Sequence, residues 1–249
     1  MIELYLILVG LAISSFLVSL SYRVPLKISM LTPPSFCPSC MRRLRAFELV
    51  PVVSYLALRG RCRTCGYSIP VRFFIVEIVT PILYLALYRV VGINPPFFIY
   101  AYLISLLLYL ALVDIDTGSV SVGDIAAVYG GGLASLILSL RGLTAHGVVE
   151  SLYGFGLCLG LLSLSVLILY LMKRRRTLGV GDLCILPGTA LYFGLYSIIR
   201  ILLFSSILGL ITGVLLISLK RVDREFKFPL MPFVALGVCI EILAFYSKI

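Results

Sequence analysis

The chain has 249 residues, 61% of them hydrophobic and 13% charged, and its mean hydropathy is +1.13. A water-soluble domain keeps roughly a quarter of its residues charged, so this composition excludes an ordinary soluble enzyme and makes lipid the main solvent. The 21 Lys and Arg against 11 Asp and Glu give a net charge of +10; in a lipid-embedded chain such residues first orient loops, so no nucleic-acid binding is expected.

Apolar stretches near the ~20 residues that cross a bilayer run over 2–21, 73–91, 97–113, 120–140, 149–172, 183–199, 201–219 and 228–247. They predict an all-α polytopic membrane protein of about eight transmembrane helices. The sixth and seventh stretches are separated only by Arg200, and the fourth carries Gly130, Gly131 and Gly132, which loosen a helix but permit close packing. The start Met1-Ile2-Glu3 lacks the basic region of a cleavable signal, so the first span reads as a retained helix. With eight alternating crossings, seventeen basic residues fall on one side of the membrane and only Arg89, Arg141, Arg200 and Lys248 on the other. The positive-inside tendency puts the seventeen in the cytoplasm and both termini outside.

The sequence thus divides into a first span (1–21), a polar cytoplasmic segment (22–72) and a seven-helix membrane domain (73–249). The polar segment carries nine basic residues and one acid, Glu48. It is too short to bury a sufficient core unaided. Its cysteines supply a staple: Cys37-Pro38-Ser39-Cys40 and Cys62-Arg63-Thr64-Cys65 are two CxxC turns separated by 21 residues. Each turn aims two sulfurs at one point, and two turns make the tetrahedral cage that structural zinc prefers. Disulfides are not expected in a cytoplasmic segment, and the neighbouring arginines favour thiolate; disulfides or a redox dithiol, and then plain packing, are the alternatives. A closed four-sulfur site offers no open position for catalysis. Cys158, Cys184 and Cys239 lie in spans without partners at ligand spacing and read as small buried apolar residues.

Of the eleven acids, Glu3, Glu48, Glu150, Asp223 and Glu225 sit at ends or in loops, where water explains them. Glu77 and Glu241 fall inside predicted spans, where an ionisable group suggests function; a packing role, protonated or paired with a neighbouring helix, is the reading favoured for both. Asp114, in Val113-Asp114-Ile115-Asp116, ends the third span. Asp182, in Gly179-Val180-Gly181-Asp182, opens the sixth, at the same cytoplasmic depth. Asp182 alone could equally be a helix N-cap. Together, two carboxylates in a partly dry site share a proton; one then activates water while the other polarises a peptide carbonyl. Such aspartyl proteolysis needs neither a metal at the site nor a histidine, and the chain's one histidine is His146. A proton-path transporter is a competing reading, but it requires acids spread through the membrane depth.

In chain order, Ser15-Phe16-Leu17, Tyr22-Arg23-Val24-Pro25, the two CxxC turns, Glu48 with Pro51, the run 54–60, Arg72, Val76-Glu77, the two aspartate motifs and Phe228-Pro229 with Pro232 resemble the type IV prepilin peptidases, a family of GxGD-type membrane aspartyl proteases. The resemblance implies an enzyme of the cytoplasmic membrane that cuts the basic leader of type IV prepilins or pseudopilins at the cytoplasmic face. It also implies N-methylation of the new terminus from S-adenosylmethionine. In this likeness Asp114 and Asp182 take the catalytic positions, Asp116, Gly179 and Gly181 support them, and Cys37, Cys40, Cys62 and Cys65 hold zinc. The chain departs from the family pattern at Asp124, which is a shifted equivalent of a family aspartate or a helix cap, and at Cys184, where the family has lysine. A peptidase without methyltransferase activity and a non-catalytic zinc-containing assembly factor are the alternatives.

Overall fold

The computed structural model describes residues 1–30, 32–144, 146–171, 180–219 and 229–245, with the backbone alone at 169, 180–183 and 245. Nine α-helices occur among these residues: α1 (Ile2–Arg23), α2 (Val53–Ala57), α3 (Val71–Val91), α4 (Pro95–Thr117), α5 (Val122–Leu140), α6 (Val148–Leu171), α7 (Val180–Ala190), α8 (Leu195–Ser218) and α9 (Met231–Phe245). The described residues contain no strand, only two isolated β-bridges. Six helices, α1, α3, α4, α5, α6 and α8, are long and apolar enough to cross a membrane, and α9 is a shorter apolar helix. The chain is therefore a nearly all-helical multi-pass membrane protein, and it falls into two compact units, Met1–Ala86 and Leu87–Ile249.

Within the first unit, α1 meets α3 at Gly10, where an added Cβ would come 2.6 Å from Pro81 Cα; only a residue without a side chain lets the backbones approach so closely. At the foot of α1 the buried Arg23 donates to the carbonyls of Ser29 (2.7 Å), Met30 (3.2 Å) and Pro33 (2.8 Å), gathering the polar segment's first loop beneath the helix.

The second unit is built on α4. Asn94 caps its first turn by accepting from the Phe97 N–H at 3.1 Å, Pro95 and Pro96 occupy positions where a missing N–H costs nothing, and Gly118 ends it at φ 58. It is the most enclosed spanning helix, with 72% of its apolar window buried, including Leu103, Leu107, Leu110 and Leu112. Next comes α5, where the glycine run proves asymmetric. An added Cβ at Gly131 would lie 2.0 Å from Tyr192 Oη, and one at Gly132 2.8 Å from Leu191 Cβ, whereas Gly130 faces open space.

The sequence expectation needs one correction at spans 183–199 and 201–219. Arg200 does not separate two helices; it lies in the second turn of α8, and the break falls at 191–194. Its charge is tolerated there because the guanidinium donates from Nε to Glu241 Oε2 at 2.8 Å and from Nη2 to Glu241 Oε1 and to Ser197 Oγ at 3.1 Å. The break itself is made by tightened i→i+3 bonds from Leu191, Tyr192 and Phe193 to the carbonyls of Gly188, Thr189 and Ala190. Extended Gly194 then starts α8.

Candidate active site and metal centre

The four cysteines of the polar segment converge: Cys37, Cys40, Cys62 and Cys65 place all their Sγ atoms within 4.8 Å of one another, and Cys37 and Cys65 are 3.8 Å apart. A tetrahedron with zinc–sulfur bonds of ~2.3 Å has edges of about 3.8 Å, so the residues fit such an ion. Each CxxC lies in the same backbone knuckle. Leu44 N–H bonds Ser35 O (2.8 Å), Cys37 N–H bonds Arg42 O (2.9 Å) and Met41 N–H bonds Cys37 O (2.9 Å). The pattern recurs 25 residues later as Ile69 to Gly60 (2.8 Å), Cys62 to Tyr67 (2.8 Å) and Gly66 to Cys62 (3.0 Å). The left-handed residue closing each knuckle is Met41 (φ 56) in one and Gly66 (φ 71) in the other. Backbone N–H groups of Cys65 and Thr64 aim at the Cys62 sulfur and pull its thiol down to about 6. The Tyr67 N–H likewise lowers Cys65. At Cys40 the Arg42 N–H pulls down, but burial and the other three thiols push its thiol up, to about 11. Four sulfurs this close cannot all ionise without a cation between them.

Two acids of this unit are bonded within the fold. Glu48 accepts from Arg42 Nη2 at 2.7 Å and from the Arg45 N–H at 2.8 Å, and these two donors hold its carboxyl below the usual range. Glu77 Oε2 accepts from the Val52 N–H at 2.6 Å, where Val52 turns the chain with φ 64. With Tyr55 stacked on Phe74 at 4.6 Å, Glu77 fastens the segment to α3, in line with its favoured packing role.

In the second unit Asp114 is buried near the end of α4, and its Oδ2 accepts from the Met231 N–H at 2.9 Å. The carboxylate thus satisfies a donor that the first turn of α9 cannot use itself. Asp116 lies on the exposed side of the same α4 turn. Asp124 caps α5: its Oδ2 accepts from the Ser121 N–H (2.9 Å), its N–H donates to Ser121 Oγ (3.2 Å), and its Oδ1 accepts from Tyr109 Oη (3.0 Å). Of the two readings of Asp124, the structure carries the cap. Asp182 and Gly181 lie in the first turn of α7, with their backbone alone described; Gly179 lies outside the described residues. Helices α5 and α7 run alongside each other in the same direction, Gly188 against Val128 and Leu191 against Gly132. This register brings the Asp182 backbone to the level of Asp124. Asp124 in turn is bonded to Tyr109, five residues and ~7 Å of helix rise before Asp114.

His146 precedes α6 at the other end of α5. Burial holds its imidazole down to about 4, so it is neutral at physiological pH. Glu241 is spent on Arg200, also in line with a packing role. The Met231 N–H bond to Asp114 is not foreseen in the sequence, although the prolines around 229–232 mark a helix start there. The 25-residue repeat of the knuckles was also missed, although the cysteine numbering carries it.

Residues 8–91 match the family described as the bacterial peptidase A24 N-terminal domain. A protein of Myxococcus xanthus (strain DK1622) called prepilin leader peptidase/N-methyltransferase is 32% identical over 215 residues, which cover 86% of this chain and 62% of that protein. Proteins of the same name from Bacillus subtilis (strain 168) and Aeromonas hydrophila are 27% and 28% identical over 254 and 222 residues. These matches cover 98% and 86% of this chain and 97% and 73% of those proteins. The chain thus spans less than two thirds of the Myxococcus protein but nearly the whole of the Bacillus one. No solved structure matches.

Proposed function

Since the chain belongs to the type IV prepilin peptidase family, we propose that it is an aspartyl endopeptidase of the cytoplasmic membrane. It cuts the basic leader from type IV prepilins or pseudopilins and then transfers a methyl group from S-adenosylmethionine to the new N-terminus. Asp114 and Asp182 carry the hydrolysis. One, ionised, takes a proton from the attacking water as the water's oxygen bonds the scissile carbonyl carbon. The other, protonated, donates to the carbonyl oxygen, and collapse of the tetrahedral species expels the amine, which takes up a proton.

The observation that carries this reading is the buried Asp114 carboxylate, anchored by the Met231 N–H at one end of the helical unit. The register of α5 and α7 supports it by bringing the Asp182 backbone to the same end. Zinc in the four-cysteine cage closes the polar segment into a folded module. The ion's chemistry there is structural, as four protein sulfurs leave no position for water. By the same family likeness Gly179, Gly181 and Asp116 are the supporting positions beside the two aspartates. The distribution of basic residues orients the site to the cytoplasm and both termini outside. A substrate whose apolar helix lies in the bilayer then presents its leader at the depth of the aspartates.

The test is to incubate the purified chain with a prepilin, with and without S-adenosylmethionine, and to weigh the product. Asp114→Asn keeps an amide oxygen to accept from Met231, so it should insert and fold yet lose cleavage, as should Asp182→Asn. Cleavage surviving in either variant overturns the two-aspartate reading. A product that never gains a methyl group reduces the activity to the peptidase.

A further inference from the structure

Residues 46–57 of the polar segment form a 3₁₀ turn (Ala46–Leu49) followed by α2, and they carry an apolar face that the fold leaves uncovered. Phe47, Leu49, Val50, Val53 and Leu56 are each 41% to 61% exposed. That is unusual in a module too small to spare apolar area for its own core. The same segment is rich in guanidinium groups: Arg43, Arg45, Arg59, Arg61 and Arg63 are all exposed, and Arg63 stands over the Phe47 ring at 5.8 Å. Within the segment no acid offsets them, because Glu48, the only one between residues 22 and 72, is buried and already bonded to Arg42. Both ends of the segment run directly into spanning helices, α1 at Arg23 and α3 at Val71, so it is tethered at a membrane surface.

We infer that this face is a membrane-docking surface, in which the apolar residues of 46–57 insert among the headgroups of an anionic leaflet and the surrounding arginines bind lipid phosphate. Exposed apolar side chains and arginines in one short segment are the chemistry of an interfacial anchor, which settles ~5–10 Å into the headgroup region. Anionic lipid adds attraction for each nearby Lys or Arg. The charge selects against a basic leader peptide as the occupant, because the five exposed arginines of the segment would repel it. The inference rests on the cytoplasmic orientation and stands apart from the peptidase reading, since it needs no substrate and no aspartate.

The chain contains no tryptophan, so Phe47→Trp introduces a single reporter, and Leu56→Trp provides a second should the first disturb the module. Each full-length variant is reconstituted into nanodiscs of phosphatidylcholine, with or without phosphatidylglycerol, some carrying brominated acyl chains. The expected result is blue-shifted emission with phosphatidylglycerol, quenched by brominated lipid and shielded from acrylamide. Arg45→Gln and Arg59→Gln, at the two flanks of the face, should each lower the ratio of docked to undocked protein by about fivefold. The inference is overturned if both reporters remain open to acrylamide and unquenched in phosphatidylglycerol. It is equally overturned if their emission shifts only when a prepilin leader peptide is added.

Discussion

At the scale of single residues, the chemistry depends on which long-range partner a polar group finds. Asp114 is held by a backbone N–H from Met231, 117 positions away in sequence, with the Leu230 N–H acting on the same carboxylate, so the start of α9 orients it. Met231 is the first residue of α9, where proline is tolerated because its N–H has no helical acceptor. Met231→Pro should therefore delete the closer-fixed of these backbone donors, the one to Oδ2, without breaking the helix. A hydrogen bond to a charged group contributes ~1.5–3 kcal/mol, so kcat/KM for prepilin cleavage should fall by roughly tenfold to a hundredfold, while Met231→Leu leaves it unchanged. Equal rates for the two variants would mean that Asp114 is not oriented by this bond. The same dependence on partners explains what was and was not legible at other acids. That Glu77 and Glu241 sit in apolar spans was plain from the sequence, but their partners, the Val52 N–H and the Arg200 guanidinium, were not. Asp124 had two readings until Ser121 and Tyr109 closed around it.

At the scale of elements, apolar periodicity located the helices, and close packing decided their ends and faces. Three consecutive glycines in α5 look equivalent in sequence, yet only Gly131 and Gly132 are pressed against another element. Gly130→Ala meets open space and replaces a poor helix former with the best, which favours the helix by ~1 kcal/mol. Gly131→Ala drives its Cβ into the Tyr192 hydroxyl and the Tyr102 ring, and overpacking of this kind costs ~1–3 kcal/mol. Thermal unfolding in detergent should thus move in opposite directions for the two variants. A parallel loss would show that α5 packs on a different face. In the sequence Arg200 is legible as a charge between two apolar runs, the position expected of a helix boundary. It is a helix residue because Glu241 on α9 neutralises it, and no local pattern carries that information.

At the scale of the molecule, the two units answer to different forces. The helical unit Leu87–Ile249 is sustained by apolar side chains and close glycine contacts, whereas the polar segment of the other unit has little core and relies on four sulfurs. Stripping metal with a chelator, or Cys62→Ser, should expose residues 22–72 to protease while the helices of the second unit resist. Methyl transfer should fall more than leader cleavage, both read from product mass. Equal loss of the two activities would mean that the module also positions the peptide for hydrolysis. The sequence by itself determined the solvent, the helical class, the orientation bias and the cysteine cage, because each follows from local composition or from a turn of a few residues. Only the tertiary structure decided which donor holds Asp114, why Arg200 can lie inside a helix, and which glycines of α5 are indispensable. Those outcomes depend on groups distant in the chain meeting in a low-dielectric interior, where an unpartnered charge or a clashing methyl group carries a cost that no local pattern records.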